Sequence, residues 1–247
     1  MANHLRATFY NLRNYDAFCA ATQTMMEEIK TPDGIFIGDN LFAFNRNLSF
    51  LDDRKLMASF NAHAESEAEQ AALWRIYINC WFARRAMTLD GDIVECACYR
   101  GTTARIMADY VDFSASDRTM WLYDLFEHDE TMRHHDMALH GAGLYDHVRS
   151  RFAGFPNVRV IKGEVPQVLE QHAPEKVAHL HLDLNDDVAE LGALDFFFER
   201  MTPGGTIVFD DYGWLAYRDQ KLAEDRWLAK CGASILELPT GQGLLIR

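Results

Sequence analysis

Beyond Gly91 the chain alternates short apolar runs with stretches of helical spacing. "GDIVECACY" (91–99), "RTMWLYDLF" (118–126), "NVRVIKG" (157–163), "VAHLHLDL" (177–184) and "GTIVFDDY" (205–212) predict five strands bounded by turn residues. "GTTARIMADYV" (101–111), "DVAELGALDFFFERM" (187–201) and "YRDQKLAEDRWLAKCG" (217–232) predict helices between and after them. The closing "ASILELPTGQGLLIR" (233–247) holds two short strands joined only by a turn, too little chain for a parallel crossover. These last strands are therefore expected to pair antiparallel. The pattern predicts an α/β fold, a doubly wound parallel sheet whose end is closed by a reversed strand.

The first ninety residues follow another rule. "NYDAFCAATQTMMEEI" (14–29) has helical spacing, and "TPDG" (31–34) breaks it. "ESEAEQAALWRIYINCWFARRAM" (65–87) reads as one long helix, acidic at its start and basic at its end, as the helix dipole prefers. No strand is expected before Gly91. The division predicted is a helical and loop-rich region over 1–90, forming a lid or oligomer contacts, and an α/β domain over 91–247.

Composition narrows the partners. The 247 residues are 49% apolar and 25% charged, ordinary for a globular protein, and the formal charge of −13 argues against nucleic acid or an anionic membrane. Five scattered cysteines show neither a disulfide framework nor zinc-ligand spacing, and no apolar run reaches membrane-spanning length. A cytoplasmic, reduced protein is expected.

Candidate chemistry collects at the strand ends, where open α/β sheets bind ligands. After the first strand comes "ECACYRGTT" (95–103): Gly101 permits a tight turn, and the helix starting at Thr102 presents free backbone N–H groups. Asp124 ends the second strand, placed as a ribose-binding acid would be. Gly163 and Glu164 follow the third strand, where an adenine edge would lie. Asp183 and the adjacent Asp210 and Asp211 end the fourth and fifth strands, so three carboxylates are expected to meet in one cleft. Such charges demand protonation, water or a cation, and all-oxygen ligation favours Mg²⁺ over softer ions.

In that order, "GDIVECACYRG", "DLFE", "LHLDLN", "PGGTIVFDDYG" and "LPTGQGLLIR", together with "DNLFAFNRNLSFL" (39–51), resemble the macrocin O-methyltransferase family. The resemblance implies a class I methyltransferase, a Rossmann-like sheet of seven strands with an α-helical N-terminal extension. It implies S-adenosyl-L-methionine and Mg²⁺ as cofactors and a small hydroxylated natural product or sugar as acceptor. By position, Asp183, Asp210 and Asp211 match the metal ligands, and Asp183 also the family's candidate base. Asp124 matches the ribose acid. The resemblance implies that Glu95, Ala97, Arg100, Gly101, Thr102, Thr103, Phe126, Gly163, Glu164 and Asp183 surround the cofactor. Two positions depart from the pattern: Ala97 replaces the usual glycine, and Asn185 replaces a common acid. Other chemistries stay open: N- or C-methylation, metal-independent transfer, a non-catalytic S-adenosyl-binding subunit, or, more weakly supported, a nicotinamide oxidoreductase.

Remaining features have structural readings beside functional ones. His128, His134, His135, His140 and His147 crowd one segment after Asp124, reading as a polar lid or as groups touching substrate. His181 reads as a satisfied buried histidine. Trp74, Tyr77, Trp81 and Phe82 at helical spacing read as core or as an interface between copies, and a homo-oligomer is expected. Phe42, Phe44, Arg46, Trp214 and Tyr217 are candidates to wall the acceptor site.

Overall fold

A computed structural model describes residues 3–134 and 136–247. The chain divides into two compact units, Met1–Tyr77 and Ile78–Arg247.

In the first unit, β1 (His4–Leu5) pairs parallel with β2 (Phe36–Gly38), which pairs antiparallel with β3 (Leu41–Ala43). This small sheet corrects the expectation of no strand before Gly91: runs of two or three residues are too short for any periodicity to register. Between β1 and β2 runs α1 (Tyr15–Glu27), capped by the Asn14 side chain, which accepts from Ala17 N–H. Asp53 caps α2 (Arg54–His63) in the same way. The single helix expected over 65–87 is two: α3 (Glu67–Ala71), opened by a Ser66–Glu69 capping box, and α4 (Leu73–Ala86). The break falls at Ala72, where ψ is 11°. Phe36 packs edge-on against Trp74, and Phe50 stacks on Tyr77 with ring centres 4.6 Å apart. Trp74 and Tyr77, both half-buried, therefore pack against the core of this unit.

The second unit is built on β4 (Asp92–Cys96), β5 (Met120–Asp124), β6 (Val158–Lys162), β7 (Val177–Leu182), β8 (Met201–Phe209), β9 (Leu236–Glu237) and β10 (Gly243–Ile246). They form one sheet in the order β6-β5-β4-β7-β8-β10-β9. The pairings from β6 through β8 are parallel, and β10 runs antiparallel to both β8 and β9, as the short final turn requires. Helices α5 (Thr102–Tyr110), α6 (Leu144–Arg151), α7 (Asp187–Phe197) and α8 (Arg218–Lys230) connect the strands. β7 is buried at all six positions, the mark of a central parallel strand. Leu180, Leu182, Phe197, Ile207 and Phe209 anchor its core. Among the described residues, no helix is long and apolar enough to cross a membrane.

Strand order reverses at β4, which lies between β5 and β7. That reversal opens the crevice in which doubly wound sheets bind ligands.

Candidate active site

Register brings the strand ends to one level. Cys96 of β4 pairs with Tyr123 of β5 and Leu182 of β7, and Leu182 pairs with Phe209 of β8. The next residues out are Ala97, Asp124, Asp183 and Asp210, stitched together by Ala97 N–H to Tyr123 C=O (2.8 Å), Asp183 N–H to Cys96 C=O (3.1 Å) and Asp210 N–H to Leu182 C=O (2.9 Å). Gly163 N–H donates to Asp124 C=O at 3.0 Å, extending the same rim to β6.

Asp124 organises the turn after β4. One carboxylate oxygen accepts from Tyr99 N–H at 2.6 Å and the other from Phe126 N–H at 2.5 Å. Burial nevertheless raises its pKa above the usual carboxylate value, against these two N–H donors, which favour the anion. Gly101, at φ 68°, starts α5, and a Cβ there would meet the Phe152 ring at 2.9 Å. Thr102 is buried and its hydroxyl accepts from Arg151 at 2.9 Å, while Arg100 and Thr103 are half-buried beside it. Phe126 is buried against Tyr145, and Glu164 is exposed beyond Gly163.

Both departures from the family pattern sit in left-handed backbone. Ala97 has φ 66° and Asn185 φ 56°. For alanine this conformation costs about 1 kcal/mol that glycine escapes, so the added methyl strains the turn itself. Asparagine tolerates it, and Asn185 Nδ2 donates to Asp183 C=O at 3.1 Å.

Asp183, Asp210 and Asp211 each offer a carboxylate oxygen, all within 4.8 Å of one another. On the same face, Glu95 and His181 are partners across the β4–β7 pair. His181 Nδ1 lies 3.1 Å from Glu95 and its Nε2 3.2 Å from Asp210. Burial alone would lower the His181 pKa, but hydrogen bonds to Asp210 and Glu95 hold it well above the ordinary value. His181 is thus a satisfied buried histidine, as expected, and also a cationic bridge that the sequence did not reveal. Gln242, from the turn between β9 and β10, donates to Asp210 at 2.8 Å.

One imidazolium does not balance these acids. The residues present fit a hard divalent cation: their donors are all oxygen, and the buried Asn185 Oδ1, next to Asp183, finds no partner among the described residues.

Behind the cleft, Glu190 and Glu224 are buried as a pair unseen in the sequence. The Gln220 side chain, one turn earlier on α8, hydrogen-bonds Glu224 but does not offset its burial. Desolvation, reinforced by the charges of Asp225 and Asp211, pushes its pKa from 4.5 to about 7. A raised acid pKa means the folded state holds the proton longer, so stability is full below about pH 4.5 and falls as pH rises toward 7. Glu224→Gln is therefore expected to stabilise the fold at pH 8 by on the order of 2–3 kcal/mol and to be neutral at pH 4, measured by urea unfolding. An equal effect at both pH values would refute the buried-charge account.

The fold and this rim define a class I, S-adenosylmethionine-dependent methyltransferase. The profile of the macrocin-O-methyltransferase (TylF) family matches residues 79–227, and the chain belongs to that family. A comparison with curated protein sequences gave no match. Among solved structures, the O-methyltransferase NovP is similar over 72% of this chain and 81% of its own, at 19% identity and a TM-score of 0.62. CalS11, a TDP-rhamnose 3'-O-methyltransferase of calicheamicin biosynthesis, is similar over 98% of both chains, at 14% identity and a TM-score of 0.59. The S-adenosylhomocysteine-bound Podospora anserina methyltransferase PaMTH1 is similar over 97% of this chain and 98% of its own, at 14% identity and a TM-score of 0.53. Identities this low speak to the fold.

Proposed function

We propose that this enzyme methylates a hydroxyl of a small natural product or sugar in a Mg²⁺-dependent reaction. The observation that carries this reading is the convergence of Asp183, Asp210 and Asp211 on the same rim as Asp124, across the end of β4 from it. Mg²⁺ held by the three carboxylates would lower the pKa of an acceptor hydroxyl.

The chain's own groups supply the rest. The turn from Ala97 to Thr103 and the N-terminus of α5 seat the cofactor's amino-acid end, with Glu95 below and Arg100 beside it. Asp124 takes the ribose hydroxyls through lone pairs that Tyr99 and Phe126 leave unused. Phe126, Gly163 and Glu164 border the base. Asp183 receives the acceptor's proton as the hydroxyl oxygen approaches the methyl group in line. His181, from within the sheet, and Gln242, from the turn before β10, hold Asp210 in place.

Two measurements test the reading. Asp124→Ala is expected to weaken S-adenosylhomocysteine binding by roughly 10- to 100-fold, the worth of one or two charge-assisted hydrogen bonds. Calorimetry showing an unchanged Kd would remove Asp124 from the site. Methyl transfer to hydroxylated sugars should stop with chelator and return with Mg²⁺; transfer undiminished by chelator overturns the metal's role.

A further inference from the structure

The chain leaves the end of β5 at Phe126 and returns at Gly141, whose N–H donates to Phe126 C=O at 3.0 Å, closing a compact loop. Its sequence, "EHDETMRHHDMALH" (127–140), provides little apolar material for a loop core. Imidazoles take that place. His128, His134 and His140 are each half-buried, and one ring nitrogen from each lies within 4.8 Å of the other two. Ring centres are 4.9 Å apart for His128–His134, 5.5 Å for His134–His140 and 6.1 Å for His128–His140. His135, in the same segment, lies outside the described residues. The five-residue gaps between the three histidines fall at the long end of the spacing of zinc-binding histidine pairs, but a segment with five histidines does not reveal which three meet.

We propose that His128, His134 and His140 form a three-imidazole site for a borderline divalent transition metal, Zn²⁺ in the first place, separate from the carboxylate cluster. Three neutral imidazoles with an open fourth position suit Zn²⁺, Co²⁺ or Ni²⁺, whereas Mg²⁺ prefers oxygen. Tetrahedral ligands at Zn–N distances of about 2.05 Å stand roughly 3.3 Å from one another. His128 Nδ1 and His134 Nε2 are already 3.5 Å apart. His140 Nδ1 accepts from the Met137 N–H at 3.1 Å, so in the metal-free tautomer its proton sits on Nε2. Holding a metal through Nε2 would shift that proton to Nδ1, release the Met137 N–H and turn the ring toward Asp136, now 3.6 Å away, as an outer-shell carboxylate.

The metal would add an internal staple to a loop tied to its surroundings by polar contacts. Leu139 N–H donates to the Tyr99 hydroxyl at 3.0 Å, and Arg133 pairs with Asp186 at 2.8 Å, in front of α7. Tyr99 N–H is in turn bound by Asp124, so the loop is tied to the proposed ribose acid.

The test is Zn²⁺ titration of metal-free protein against a chromogenic chelator, with Mg²⁺ in excess to saturate the carboxylates. One Zn²⁺ per chain is expected, retained by Asp183→Asn/Asp210→Asn. In His134→Gln/His140→Gln, affinity should fall by more than the roughly 10- to 100-fold that outer-shell changes cost. Zn²⁺ should also slow tryptic cleavage after Arg133 in the unaltered protein. If the double histidine variant loses its native circular dichroism, His128→Gln is read instead. Absence of stoichiometric Zn²⁺ binding, or binding that survives the histidine changes and disappears with the aspartate changes, overturns the site.

Discussion

Asp210→Asn is expected to lower kcat by about 100-fold or more, while S-adenosylhomocysteine affinity stays within about twofold. The substitution is nearly isosteric. An asparagine Oδ1 can still accept from His181 and Gln242, which now contact Asp210 Oδ1 at 3.2 and 2.8 Å. What disappears is one negative charge and one oxygen ligand from a cluster whose ligand atoms lie within 4.8 Å of one another. A hard cation depends on that charge count, so the loss falls on metal affinity and on acceptor activation rather than on the cofactor. Raising Mg²⁺ should therefore recover part of the activity by mass action. Asp124→Ala should show the opposite pattern: weaker cofactor binding at unchanged Mg²⁺ dependence. An Asp210→Asn enzyme with unaltered kcat and unaltered chelator sensitivity would leave the carboxylates without a metal to hold.

Those aspartates were legible in the sequence for a definite reason. Each follows an apolar run that only a buried strand explains, and parallel strands in one sheet end on the same side. Knowing the strands was therefore enough to know that Asp124, Asp183, Asp210 and Asp211 share a rim. The pairing of Cys96, Leu182 and Phe209 makes the rim level to the residue. The antiparallel β10 was legible because its connecting turn is too short for anything else.

Features created by convergence without periodicity were not legible. Glu190 and Glu224 lie on different helices, each at a single position among residues that fit a solvated face equally well, and only packing of α7 against α8 buries them together. The break at Ala72 gives no signal because alanine is the best helix former; Trp74 and its neighbours are turned toward the first unit's core regardless. The histidines after Asp124 were visible as a cluster, but which three meet is set by the loop closure from Phe126 to Gly141. His181 was read correctly as buried. Its partners were hidden, since Glu95 stands opposite it only through the β4–β7 register.

That register sets the size of the last expected effect. His181→Leu should destabilise the protein by about 3–5 kcal/mol, since removing the cation of a buried pair strands its acids without compensation. Glu95 is fully buried and one of its oxygens already finds no partner among the described residues, so losing the imidazole leaves the carboxyl with neither donor nor charge. The pH dependence follows from the raised His181 pKa. Its protonated form contributes in full below the unfolded value of 6.5, and the contribution declines from there until pH has passed the elevated folded value. The deficit of His181→Leu, read by urea unfolding with chelator present, should therefore be largest at pH 6, somewhat smaller at pH 7, and shrink further in alkaline solution. Low stability alone could come from poor packing of leucine, and a second substitution separates the two causes. Adding Asp210→Leu to His181→Leu removes one of the stranded charges. If electrostatics dominate, the double variant should recover about 1–3 kcal/mol relative to the sum of the single changes. Strict additivity would show that His181 fills space in the sheet rather than neutralising the acids that surround it.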